Sequence, residues 1–205
     1  MFHYKLIVVD RPVYYNRRME TAHTTRQRLI DTTRQLINAR SYHAVGVQEI
    51  CNQASVNKGS FYHFFASKRD LTLAALEQTE ALFMDTIFSR AFATDIPPLA
   101  RIERFFNAMY EYHQQVKDTT GHVQGCPFGN LGCELGTEDE RLRGKVDDIF
   151  RLAEQPIEQA LTEAVSNGDL PDIDTGAAAC AIFAYAEGLV LYAKTRNDAG
   201  IIREL

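Results

Sequence analysis

Lys58, Tyr62 and His63 fall on a short run, NKGSFYHFF, that also holds Gly59 and Ser60. If the run is helical, Lys58 with Tyr62 and Gly59 with His63 are pairs four apart on one side. A cation, a phenol and an imidazole presented together are partners for phosphate oxygens and base edges. Gly59, with no Cβ, lets the start of a helix approach a groove closely. The free N–H groups at a helix amino end also favour phosphate, and Asn57 is a good N-cap for that end. Phe61 and Phe64, three apart, are expected on the opposite side, packed with Val56 against Ile50 as core. The chemistry implied is contact with a polyanion, not catalysis.

Nothing else in the chain competes with that reading. No nucleophile elbow, phosphate loop or close carboxylate pair with a base stands out, so no enzyme is expected. His122, Cys126 and Cys133 match no common zinc spacing and lack a fourth ligand, so no metal or cofactor is expected either. Four cysteines in 205 residues do not form a disulfide framework, and reduced thiols are the default. The most apolar early stretch, Leu6 to Val9, is far too short to span a membrane or serve as a signal-peptide core. No membrane segment and a cytoplasmic location are expected.

Charge supports the polyanion. The net charge of −5 conceals an amino-terminal segment, residues 22–70, of +4 and a body, residues 71–205, of −11. A basic segment beside an acidic body is the footprint of a nucleic-acid-binding unit. Use of the same face for protein contacts is the rival, and the positive face argues against it.

Positioning these groups needs helices. From Thr24 a capping box with Gln27 opens a helical period in which Leu29, Ile30, Thr33, Leu36 and Ile37 recur to about Arg40. SYHAVG breaks it. A short helix from Val47 to about Ala54 turns Ile50 and Ala54 inward, and a tight turn at Ser55-Val56 leads to the helix of Lys58 to about Phe64. Ser67 and Asp70 cap a long helix to about Ala93, which Asp95-Ile96-Pro97-Pro98 ends. Further helices are expected over 99–117, from Pro127 to near Gly136, from a Thr137–Glu140 cap to Asn167-Gly168, and over 175–195. Pro156 should kink the long one. No strand-like alternation survives, so the fold class is all-α.

Two short helices joined by a tight turn, with basic residues on the second, form a helix-turn-helix. At this point the sequence resembles the tetracycline-repressor (TetR) family of transcription regulators. The resemblance lies in VGVQEICNQASVNKGSFYHFFASKRDL, residues 45–71, and the helix before it. It implies a three-helix DNA-binding domain over 22–66, then a linker helix with an α-helical ligand-binding and dimerisation domain over 67–205. Residues 1–21 are expected to be a poorly ordered extension, with Met19 as a natural start. By resemblance Lys58, Gly59, Ser60, Tyr62 and His63 sit on the recognition helix, and Lys68 is the phosphate-contacting lysine of the linker. Gly46 and Val47 open the supporting helix, where backbone N–H groups meet phosphate. Two departures stand out: Ser55 replaces the usual turn glycine, and Gly46 offers no hydroxyl.

The family implies a homodimer on a double-stranded DNA operator, released by a small-molecule effector. GCPFGNLGCEL, residues 125–135, resembles a run found beside the ligand cavity in one subset. Phe105, Met109, Tyr112, His113, Cys126 and Phe128 are candidate lining residues. Cys126, at a helix start, has two readings: a thiol whose pKa the helix dipole lowers, or, as the preferred one, a buried small apolar residue that caps the helix. Some relatives sense electrophiles or oxidants through a cysteine in this area, and a cysteine-based electrophile- or redox-responsive repressor is the alternative. The last helix, apolar on most faces, is expected to pair with the helix of 138–166 in a two-fold four-helix interface.

Overall fold

The computed structural model describes residues 24–203, and among them there is no β-strand. The expected extension and the suggested start at Met19 lie outside the described residues. The chain is all-α.

Helix α1 (Thr25–Ala39) begins at Thr24, whose hydroxyl accepts from Gln27 N, and buries Leu29, Ile30, Thr33 and Leu36. The Gln27 side chain reaches Asp31 and Gln78 instead of closing the capping box. Helix α2 (Val47–Gln53) and helix α3 (Lys58–Phe64) follow, the latter capped by Asn57 Oδ1 on Ser60 N at 2.7 Å. Between them Ser55 takes φ +53°, a left-handed conformation that a glycine would adopt at lower cost. The turn closes with Val56 N donating to Cys51 O at 2.9 Å.

One expectation for α3 fails. Phe61 is fully buried, but Phe64 is 39% exposed, and Phe65 takes the inner place at 5%. At roughly 100° per residue, Phe65 lies about 40° from Phe61 around the axis and Phe64 about 60° the other way. The helix also ends at Phe64, so Phe65 turns back in extended backbone towards Phe61. The Arg26 guanidinium lies 5.3 Å from the centre of the Phe65 ring.

Helix α4 (Lys68–Phe83) opens with Ser67 Oγ accepting from Asp70 N, and the Ser67 hydroxyl donates to the Asp70 carboxylate. That bond holds the Asp70 carboxyl below its usual range. Leu71, Ala74 and Ala75 belong to the same apolar core as Leu29, Ile30, Ile50 and Phe61. The first turns of α4 thus complete the amino-terminal core. Further on, the helix widens into a π turn, Met84–Phe88, and resumes for one α turn, α5 (Ser89–Ala91).

Helix α6 (Pro98–Thr120) starts on a proline and stops at Gly121, φ +82°. Helix α7 (Pro127–Leu135) has Cys126 as its N-cap. Helix α8 (Glu140–Asn167) buries the expected stripe, Leu142, Val146, Ile149, Ala153, Ala160 and Ala164, and runs on through Pro156. Its N-cap is Asp139, not Thr137: Asp139 Oδ1 accepts from Arg141 N and Leu142 N, both at 3.1 Å. Thr137 is instead consumed in the turn that returns Glu138 N and Asp139 N to Leu135 O.

Helix α9 (Thr175–Arg196) ends at Asn197 in left-handed backbone and leads to a 3-10 turn, Ala199–Arg203. Ala179, Phe183, Ala186, Val190 and Ala193 are buried, joining a core shared with α6 and α8. The other side leaves Tyr185, Leu191 and Tyr192 exposed, at 49%, 59% and 57%. Length and composition alone would let α9 cross a membrane. Its one packed face and its mid-helix Glu187 are what a soluble helix with a second protein-covered face also shows.

Candidate functional site

Two places in this fold bring functional side chains together. At the first, α3 presents Lys58, Gly59, Tyr62 and His63 to solvent, with Ser60 half-buried at its first turn. Buried Phe61 and Phe65 fix the helix from below, so the outward groups have a defined orientation. Phe64 joins the exposed side, packed edge-on against His63 with ring centres 4.9 Å apart. Gly46 is the exposed N-cap of α2 with extended backbone, and Val47 beside it is half-buried.

Lys68 stands apart from that set. Its ammonium donates to Tyr42 O at 2.9 Å and Val45 O at 3.0 Å, and sits 3.8 Å from the Tyr42 ring centre. Removal from water lowers its pKa. The lysine ties the α1–α2 loop to the start of α4. Sequence reasoning missed this task, because two backbone carbonyls leave no side-chain signal.

The same loop is held from the other domain. Glu134, in the last turn of α7, accepts from Tyr42 N at 2.8 Å and His43 N at 2.7 Å. Two ion pairs, Arg69 with Asp139 and Arg141 with Asp70, cross between the start of α4 and the start of α8, each at 3.2 Å.

The second place is a cavity of about 40 Å³ in the larger domain. Phe105, Met109, Tyr112 and His113 from α6 line it, together with Cys126 and Phe128 from the amino end of α7. Phe83 and the π turn, through Met84, Ile87 and Phe88, supply another wall. His113 is 4% exposed, and burial lowers its pKa to about 4, so the imidazole is neutral.

Sequence reasoning also missed Glu187, which reaches this cavity from α9. It is the only charged residue between Asp174 and Lys194, and that isolation within an apolar helix was the available signal. Its carboxylate lies against Gly129, where a Cβ would sit 2.7 Å from Oε2. The small residue of the GCPFGNLGCEL run therefore makes room for an acid. Burial raises the Glu187 pKa.

Cys126 takes the capping role and not that of a low-pKa thiol. Its Sγ does cap α7, accepting from Gly129 N at 3.4 Å. Yet burial, first, and the neighbouring Glu187, second, push the thiol pKa well up. The helix amino end is a weaker influence than desolvation beside a carboxylate. On the far side of Cys126 and Glu187 a groove of about 370 Å³ opens between α7 and α9.

A buttressed helix-turn-helix joined by one long helix to an apolar cavity defines a DNA-binding transcription regulator. Comparison with known proteins agrees. Residues 29–75 match the family described as bacterial regulatory proteins, tetR family, and residues 98–204 match the tetracyclin repressor-like C-terminal domain. The chain belongs to the TetR family of transcriptional regulators. It is 34% identical to the transcriptional regulator AcuR of Cereibacter sphaeroides, over 82% of this chain and 75% of that protein. Among solved structures it is similar to the regulatory protein TetR from Rhodobacter sphaeroides, with a TM-score of 0.76 and 31% identity over 87% of this chain and 93% of that one. It is also similar to Escherichia coli NemR in its reduced form, with a TM-score of 0.74 and 26% identity over 87% and 92% of the two chains.

Proposed function

We propose that this regulator is a homodimeric repressor, bound in the cytoplasm to a pseudo-palindromic operator and released by a small molecule held in the cavity. In this reading Lys58, Tyr62 and His63 reach bases and phosphates in the major groove, with Gly59 and Ser60 at the helix start. Gly46 and Val47 offer backbone N–H groups to one phosphate strand, and Lys68 reaches the other end of the same backbone. The observation that carries the reading is that α4 serves both sites. Leu71, Ala74 and Ala75 lie in the DNA-binding core, while Phe83 at the end of α4, with Met84, Ile87 and Phe88 of the π turn that continues it, lines the cavity.

A ligand that widens the cavity presses on the π turn and on the start of α7. Both routes end at the α1–α2 loop: α4 through Lys68, α7 through Glu134. A coupling of only ~1–3 kcal/mol would change operator affinity ~5–150-fold. The partner copy covers α8 and α9, whose exposed Tyr185, Leu191 and Tyr192 form the face that needs covering.

The alternative, a repressor switched by electrophiles or oxidants at Cys126, is the weaker reading. A thiol with a raised pKa beside a carboxylate is a poor nucleophile.

Gel-shift titration against DNA upstream of the protein's own gene tests the proposal. Wild type is expected to bind a discrete site, and Tyr62→Ala or Lys58→Ala to change which sequences are preferred. Binding that is indifferent to sequence in wild type and variants alike would remove the operator from the account.

A further inference from the structure

We propose that the effector is a small organic cation, an ammonium on an apolar body, whose charge is taken by Glu187 and whose body lies among the aromatic rings of the cavity. The inference rests on the cavity being the effector site and adds the chemistry that the site selects.

Glu187 carries a carboxylate into a wall otherwise built from apolar side chains, and among the described residues it makes no ion pair. The other acid there, Glu80, is already paired with Lys145 Nζ at 2.6 Å. Lys194, which shares the outer groove with Glu187, gives its ammonium to Asn130 Oδ1 at 2.7 Å. Among the described residues, the Cys126 thiol, a weak donor, is the group that meets the Glu187 carboxyl. Glu187 is half-buried, between the cavity and the outer groove, and with no cation beside it among the described residues its environment favours the neutral acid. A cationic ligand in the cavity supplies the counter-ion that favours the carboxylate.

The rest of the lining agrees with a cation. Neither lysine nor arginine faces the cavity, so a carboxylate ligand would meet two acids and no positive charge. His113, almost fully buried and without a hydrogen bond to any described residue, stays neutral and does not repel an ammonium. Phe83 packs edge-on against both Tyr112 and Phe128, with centres 5.0 and 5.5 Å apart, and all three rings line the cavity. Desolvated ammonium groups bind such ring faces favourably. Gly129 keeps the Glu187 carboxylate where it is, since a side chain there would displace it. At about 40 Å³ the cavity takes a body of a few non-hydrogen atoms without rearrangement.

Three probes of matched shape and different charge test this: isobutylammonium, isobutanol and isobutyrate, titrated calorimetrically into the full chain. Isobutylammonium is expected to bind at least about tenfold more tightly than isobutanol, as a charge-assisted hydrogen bond would give, with isobutyrate weakest. Glu187→Gln should erase the preference for the cation while leaving isobutanol binding in place, which also shows the variant is folded. Equal or tighter binding of isobutyrate would overturn the inference. So would Glu187→Gln that weakens self-association and leaves the cation preference intact, because the counter-ion would then be the partner chain's. Cation binding that is Glu187-dependent yet leaves operator affinity unchanged would keep the ligand chemistry and defeat the effector reading. Binding by none of the three would defeat both.

Discussion

Lys68 is proposed to serve two tasks. It binds two carbonyls and an aromatic ring within the protein, and the third N–H of its ammonium is the donor proposed to meet a phosphate. Lys68→Met should lower stability by about 1–3 kcal/mol, the cost of leaving two part-buried carbonyls unsatisfied. It should also weaken operator binding for all sequences and reduce the salt-dependence slope by about 0.9, one phosphate contact. Thermal denaturation and gel shifts at several salt concentrations separate the two. Lost stability with an unchanged slope would leave Lys68 as a structural tie alone.

Residues differ in how far their roles could be read in advance. Asn57 and Ser67 act as the caps that their types and spacing announce, because capping is a local matter of three residues. Phe64 and Phe65 flank Phe61 at comparable angles around the helix axis, and only the chain reversal after Phe64 decides between them. The raised thiol pKa of Cys126 is hidden from sequence for a different reason. The helix amino end is visible in sequence, whereas Glu187, sixty-one positions on, is not a neighbour until the chain folds.

At the scale of elements, helix positions followed from periodicity, prolines and glycines, since each acts within a few residues. The π turn of Met84–Phe88 had no such signal. Its sequence, MDTIF, is compatible with an ordinary α-helix. The docking of α7 on the α1–α2 loop was equally hidden, because Glu134 acts on two backbone N–H groups. Glu134→Gln places an amide N–H where a carboxylate oxygen now accepts one. Amide hydrogen exchange over residues 41–46 should accelerate by about tenfold, the loss of a charge-assisted bond, with α1 unaffected. Unchanged exchange in that loop would show that α7 does not hold it.

For the whole molecule, the contrast between a basic amino-terminal unit and an acidic body was legible from charge alone, and the family from one run of residues. The proposed two-fold pairing was legible only as a helix with too many apolar faces. The fold turns that into a particular surface, Tyr185, Leu191 and Tyr192 on α9, which a second copy is proposed to cover. In the proposed dimer, spacing between the two recognition helices is the quantity that a ligand in the cavity would change.

Footprinting of the full chain on its upstream DNA, with complex mass measured in parallel, tests that claim most directly. Two protected half-sites are expected, with centres about 34–36 Å apart on one face of the duplex and two chains bound. Leu191→Glu, which buries a charge in the proposed interface, should lose both protections together. A single protected half-site carrying one chain, or protection that survives Leu191→Glu unchanged, would contradict it.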